Sequence, residues 1–184
     1  MLNDYAVWAS RWRVPLGFGL GVLYLALAHP SPLLLLCGAV VALAGLLWRA
    51  WSAGYLAKNQ RLATGGPYAL TRNPLYLGSA AMGLGGALAG RSWVMGLAFT
   101  AFFALIYWPV MKREAQFLSR EFPGAYGQYA SRVPLFFPKL RCRPATDEKF
   151  EWQRYWKNRE YEAAAGYAAV MLVLALKMWW RSIP

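Results

Sequence analysis

The sequence predicts an all-α membrane protein, a multi-spanning bundle of about five transmembrane helices with interfacial helices on the cytoplasmic side. Three observations carry this reading. Of 184 residues, 58% are hydrophobic and 10 are Trp. The apolar residues gather in five long runs, and the basic residues gather beside those runs. A domain of this length cannot cover so much apolar surface with its own polar layer, so lipid must cover it.

The first run, 14–28, follows Arg11 and Arg13 and ends at His29-Pro30 without a small-residue cleavage pattern, so it is expected to stay as a span. It and the next two, 33–48 and 75–89, are short against the roughly 20 residues that a bilayer core requires. Flanking aromatic and basic residues must complete them, or they pack inside the bundle. The run 75–89 is rich in Gly and Ala, which lets a neighbouring helix approach closely. Only 90–92 connect it to the fourth run, 93–110, so that neighbour is expected to be the fourth span in an antiparallel hairpin. Pro109 removes a backbone hydrogen bond there and permits a bend. Beyond it, 112–122 sets apolar side chains among charges, as in an interfacial helix. The stretches 126–138 and 147–162 carry aromatic and basic residues at the same level, and the fifth run is 163–180. No internal repeat or soluble domain interrupts this order, so 1–184 reads as a single domain.

The net charge is +12. Outside the runs, 17 of the 20 Lys and Arg residues fall before the first span, in 49–72 or in 112–159. The positive-inside bias therefore places those three regions in the cytoplasm. Because the basic clusters adjoin spans, anionic lipid headgroups are the expected partner, and nucleic acid is not. Cys37 lies mid-span and Cys142 in the basic loop, depths at which a disulfide is not expected. Neither they nor the single histidine, His29, form a metal-ligand cluster, so zinc and histidine chemistry find no support.

Two cytoplasmic segments can carry chemistry, 65–78 and 114–138. Asn73-Pro74 has the grammar of a helix start, with Asn as N-cap and Pro at the first helical position. The amides behind it and Arg72 beside it offer a place for a carboxylate or phosphate. Equally, the cap can be only a cap, with Arg72 an anchor to headgroups. Glu114, flanked by Lys112 and Arg113, can pair with Arg113 or Arg72, or receive a cationic ligand. Tyr68, Tyr76, Tyr126 and Tyr129 can line an aromatic pocket or sit at the interface as anchors.

At these residues the sequence resembles the isoprenylcysteine carboxyl methyltransferases and the related phospholipid N-methyltransferases. The resemblance rests on Gly66-Pro67-Tyr68, Arg72-Asn73-Pro74-Leu75-Tyr76-Leu77-Gly78, Glu114 to Leu118, Phe122, and Tyr126 to Pro134. Upstream, Arg49-Ala50-Trp51 and Leu56 also look like the bacterial members, so the core motifs cover about 45–138, with 139–184 as an additional basic segment and span. The resemblance implies an integral membrane enzyme, in a bacterial inner membrane, that uses S-adenosyl-L-methionine. It implies that Gln60, Arg61, Leu62, Ala63, Tyr68, Asn73, Pro74, Leu75 and Tyr76 border that cofactor and that Glu114 closes the pocket. The acceptor it implies is a carboxylate or amine on a lipid-like or prenylated substrate.

The sequence departs from the family pattern at three places. Asn73 stands for the usual His, and Ala115 for a second Glu. Val110 stands where a substrate arginine is expected, which leaves Arg72, Arg113 and Tyr129 as candidates to hold the acceptor. Methyl transfer from a sulfonium needs alignment and exclusion of water more than acid or base groups. A related arrangement in NADPH-dependent sterol reductases gives an alternative, although Ser79 and Ala80 occupy the place where an acidic residue is expected. A non-catalytic membrane scaffold is the other alternative.

Overall fold

The computed structural model describes residues 2–58, 60–139 and 148–183; the expectations for Cys142 and Asp147 lie outside them. The described residues contain helices and no strand. In order they are α1 (Leu2–Leu27), α2 (Pro32–Ala53), a 3₁₀ turn (Gly66–Ala69), α3 (Pro74–Ala89), α4 (Trp93–Phe102), a π-helical turn (Phe103–Tyr107), α5 (Trp108–Glu121), α6 (Ala125–Arg132), α7 (Trp152–Lys157) and α8 (Tyr161–Arg181).

The protein is a multi-spanning helical membrane protein. Three helices are long and apolar enough to cross a bilayer: Pro32–Ala53, Trp93–Glu121 and Tyr161–Arg181. The expected count of five is thus met for three. Helix α3 has 16 residues, and α1 carries Asp4, Arg11 and Arg13 in its first half. That first half was expected to lie outside the span, yet it is helical from Leu2. Ala6 and Ala9 are buried, with Ala9 in one cluster with Ile106 and Val110. The charges interrupt the hydropathy of this stretch without interrupting its helix.

The small residues of α3 meet α2 rather than α4. A methyl built on Gly45 would stand 2.7 Å from the Gly78 carbonyl oxygen, and one on Gly85 would stand 2.7 Å from that of Gly38. Matching small residues on both helices let the backbones touch. Helix α4 is also a neighbour, as the short turn requires, but it presents the bulky Phe99 to Gly83. Side chains must fill that contact, so the helices stand further apart.

From Trp93 the chain runs as 29 residues of continuous helix, about 43 Å at 1.5 Å per residue. This exceeds a hydrocarbon core of about 30 Å, so the last turns, with Lys112, Arg113 and Glu114, emerge at the interface. The expected irregularity near Pro109 takes the form of the π-helical turn Phe103–Tyr107. Proline offers no N–H to the carbonyl four residues earlier. That carbonyl, on Leu105, instead accepts the Tyr5 hydroxyl at 3.0 Å.

The opposite end of the bundle is tied by side chains meeting helix ends. Lys177 Nζ donates to the carbonyls of Leu25 and Ala26, both at 2.7 Å, satisfying the last turn of α1. Tyr24 donates to the Gly86 carbonyl. These bonds join α1, α3 and α8 without a large core.

Candidate active site

The candidate site is assembled where α2 ends, α3 begins and α5 leaves the membrane. Segment 62–73 is held between these helices and the extended chain after α6. Arg72 N donates to Pro134 O at 2.9 Å and Lys139 N to Leu70 O at 2.9 Å. The hydroxyl of Thr71, which is fully buried, donates to Phe136 O at 2.8 Å. Gly66 takes a φ of 53° and lies under the Tyr55 ring, so a side chain there would be strained and would also collide.

Asn73 holds the N-cap position of α3, but its side chain does not cap. Its amide nitrogen donates instead to Leu135 O at 2.9 Å, because the segment after α6 lies within reach of it. The start of α3 therefore carries Pro74, which has no N–H, and the amides of Leu75 and Tyr76, with no side-chain cap. The expected positive helix end is there, without the expected cap.

Facing it, the Tyr76 hydroxyl donates to Glu114 Oε1 at 2.7 Å and accepts from Arg13 Nη1 at 2.7 Å. Arg13 Nη1 lies 3.7 Å from the same carboxylate oxygen. Glu114 thus pairs with neither Arg113 nor Arg72, the two partners expected for it. Its cation comes from α1, a helix whose inward face could not be assigned before the packing was known. The second oxygen, Oε2, has no hydrogen-bond partner among the described residues, and the Glu114 side chain is 47% exposed.

Arg72 turns the other way. Nη1 donates to the Tyr126 hydroxyl at 2.9 Å, with the guanidinium 5.7 Å from the centre of that ring, while Nε is buried without a partner. Tyr129 donates its hydroxyl to Tyr68 O at 2.7 Å. Tyr126, Tyr129 and Val133 form a buried cluster with Leu62, Ala115 and Leu118 against it. Tyr68 is itself buried, and that burial pushes its phenol well above the ordinary value. Three of the four tyrosines named above are therefore packed structure between the 62–73 segment and α6.

The candidate cofactor residues fall into two groups. Tyr76 and Glu114 touch directly beside Asn73, Pro74 and Leu75. Leu62, Ala63 and Tyr68 belong to the packed loop on the α6 side, with Gln60 and Arg61 exposed at its outer end. Arg113 lines a groove between α1 and α5, together with Tyr5 and Lys112, away from Glu114.

Three residues outside the expected site, Glu160, Glu148 and Asn158, hold it in place. Arg49 reaches Glu160 through both Nε and Nη2, at 3.0 and 2.8 Å, and also contacts Leu75 O and the Ser79 hydroxyl. Burial raises the Glu160 carboxyl above the ordinary value, and Arg49 offsets only part of that rise. Glu148 accepts from Gly65 N at 3.3 Å and lies 3.8 Å from Arg61 Nη1. Asn158 donates to the carbonyls of Ala53 and Leu56, closing the end of α2. The isolated acidic residues of the C-terminal segment were the available signal: Glu160 stands directly before an apolar run, where an unpaired charge is costly.

These helices and this junction define a multi-spanning helical membrane protein with a candidate site at one end of its helices. Residues 49–125 match the phospholipid methyltransferase family, the stretch holding Arg49, the 62–73 loop, all of α3 and Glu114, and the resemblance read in the sequence holds there. Two curated proteins are similar to the chain. The cobalt-zinc-cadmium resistance protein CzcN of Cupriavidus metallidurans is 38% identical over 70% of this chain and 62% of its own length. The nickel-cobalt-cadmium resistance protein NccN of Alcaligenes xylosoxydans xylosoxydans is 35% identical over 60% of this chain and 52% of its own length. The chain thus spans between half and two thirds of these relatives. No solved structure matches it.

Proposed function

We propose that this chain is an S-adenosyl-L-methionine-dependent methyltransferase. Its acceptor is a carboxylate or amine on a lipid-like or prenylated substrate, at the cytoplasmic face of a bacterial inner membrane. The observation that carries this reading is the junction of the uncapped α3 start with the Tyr76–Glu114–Arg13 cluster, inside the family-like stretch. Its residues suit a zwitterionic cofactor: the amides of Leu75 and Tyr76 are placed for a carboxylate, and Glu114 Oε2 for a positive charge. When bound, S-adenosylmethionine supplies an electrophilic methyl on a sulfonium.

The chain's own part is to bind, orient and exclude water. Tyr76, donating to Glu114 and accepting from Arg13, holds the carboxylate in one orientation. The bonds from Arg72, Thr71 and Asn73 to 134–136 hold the loop closed over the start of α3. Of the acceptor candidates, Tyr129 is committed to Tyr68 O and Arg113 faces the groove. Arg72 donates to Tyr126 through Nη1 and its unpartnered Nε is buried, so it would meet an acceptor headgroup only if the packed segment around it opens. A carboxylate acceptor needs no base at neutral pH, whereas an amine must first lose a proton. The names of the two relatives give a setting, resistance to divalent metals, in which a methylated lipid would be made.

The test is thermal stabilisation of the detergent-purified protein. S-adenosylmethionine should raise the melting temperature and NADPH should not; stabilisation by NADPH alone would favour the reductase, and by neither the scaffold. Glu114→Gln removes a charge-assisted bond of about 1.5 to 3 kcal/mol, so affinity for S-adenosylmethionine should fall roughly tenfold or more with the helices intact. Unchanged affinity would return Glu114 to a structural role. Orientation is tested separately: from outside intact cells, a thiol reagent should label Ser31→Cys and miss Ser131→Cys, and the reverse pattern would invert the topology.

A further inference from the structure

Two adjoining cavities run along one side of α1. The upper, of about 550 Å³, is walled by Leu16, Leu20 and Leu23 of α1 and by Phe102, Leu105 and Ile106. The lower, of about 780 Å³, lies between Tyr5 and Ala6 of α1 and the cytoplasmic part of α5, where Lys112, Arg113 and Arg120 line it. Tyr5 borders both, so they are consecutive stretches of one groove, apolar at bilayer depth and cationic at the interface. Among the described residues no carboxylate pairs with these three cations. Lys112 is held over the Trp108 ring, 5.8 Å from its centre.

We propose that this groove binds an anionic phospholipid, with its phosphate among Lys112, Arg113 and Arg120 and an acyl chain laid along Leu16, Leu20 and Leu23. The charge pattern selects this occupant. Within a bilayer an apolar wall offers a chain no more than other lipid tails do, so the groove cannot choose a lipid by its chain. Cations at headgroup level can choose by charge, each by a factor of roughly five. The length also fits: from Tyr5 to Leu23 the helix rises about 27 Å, more than one leaflet's share of a core about 30 Å thick.

The site is distinct from the one proposed for methyl transfer. Lys112 and Gln116 lie two residues either side of Glu114, about 200° around the helix, and so face away from Tyr76 and Arg13. The lipid is a resident of the α1–α5 seam, and the methyl acceptor belongs to the other face of α5.

Native mass spectrometry of the full chain tests this, after incubation with dioleoyl phosphatidylglycerol, dioleoyl phosphatidylcholine or water-soluble glycerol phosphate. Phosphatidylglycerol should be retained at least tenfold more than phosphatidylcholine, and glycerol phosphate should neither bind nor compete. The preference should vanish in Lys112→Gln/Arg113→Gln/Arg120→Gln and survive in Lys58→Gln/Lys149→Gln/Lys157→Gln, which removes the same charge elsewhere. All six side chains lie on the surface, and circular dichroism checks that both variants keep their helices. Equal retention of the two lipids, equal loss in both variants, or competition by glycerol phosphate would each overturn the proposal. None of these readouts depends on methyl transfer.

Discussion

The central stretch 49–125 and the flanks differ in what they contribute. The centre supplies the groups of the proposed site: the α3 amides, Tyr76, Arg72 and Glu114. The flanks supply what holds them. Arg13 comes from α1, Glu160 stands before α8, Glu148 lies ahead of α7, and 134–136 follow α6. Motif residues state a chemistry, but tertiary partners far along the chain set their orientation. A substitution in a flank should therefore reach the site through stability, and one in the centre should reach ligand binding directly.

The largest effect is expected at Glu160, which is 6% exposed and joined to Arg49 by two hydrogen bonds. Glu160→Ala leaves a largely buried guanidinium without its carboxylate, a loss of about 3 kcal/mol or more. Thermal unfolding in detergent should show it. The exposed pair Arg159–Glu162 is the contrast, with side chains 67% and 55% exposed, and Glu162→Ala should leave the melting temperature nearly unchanged. Arg49→Leu with Glu160→Leu should recover much of the loss by removing both charges. Equal effects at Glu160 and Glu162 would mean that the flank does not hold the centre through this pair.

A smaller effect is expected within the centre, at the α2–α3 contact. Gly45→Leu must displace the Gly78 carbonyl or the Ala81 methyl, which a built Cβ would meet at 2.7 and 2.9 Å. Overpacking of this kind costs about 1 to 3 kcal/mol. Gly86 lies in the same α3, but a methyl there meets nothing within 4 Å. Gly86→Ala should therefore be neutral or slightly stabilising, as expected of alanine in a helix. Equal destabilisation by both, measured as melting temperature in detergent, would put the close approach of α2 and α3 in doubt.

These two sites also show where the sequence was readable. Hydropathy marked the apolar part of each long helix, though only the second half of α1, because a run of apolar residues needs no knowledge of its neighbours to be recognised. Pro74 marked the start of α3 to the residue, since proline at a first helical position acts through the backbone alone. Pairings were harder. The Gly and Ala of 75–89 announced a close neighbour, but chain connectivity pointed to α4 where surface matching selected α2. Asn73 looked like a cap because its own position demands one, and lost that role to a carbonyl 62 residues away. Glu114 was read as a charge that could pair with Arg113 or Arg72 or receive a cationic ligand, yet its cation, Arg13, stood in a stretch that hydropathy left outside the span. Local signals fix elements, and partners require the packing.

The smallest effect is expected at the seam between α1 and the central hairpin, and it couples two residues more than 100 apart in the chain. Leu105 O accepts the Tyr5 hydroxyl at 3.0 Å, and it is available because Pro109 has no N–H to offer it. Hydrogen bonds inside membrane proteins average about 0.6 kcal/mol in double-mutant cycles, so Tyr5→Phe should cost about that much. In a Pro109→Ala background the new amide can take the Leu105 carbonyl, and Tyr5→Phe should then cost close to nothing. The helix should also become more regular, because the π-helical turn Phe103–Tyr107 directly precedes the proline. A cycle of the four proteins, followed by thermal unfolding in detergent, should give a coupling of about half a kcal/mol. If Tyr5→Phe costs the same in both backgrounds, the hydroxyl is not answering the proline, and α1 is held to this helix by packing at Ala9 and by Arg13 at Glu114.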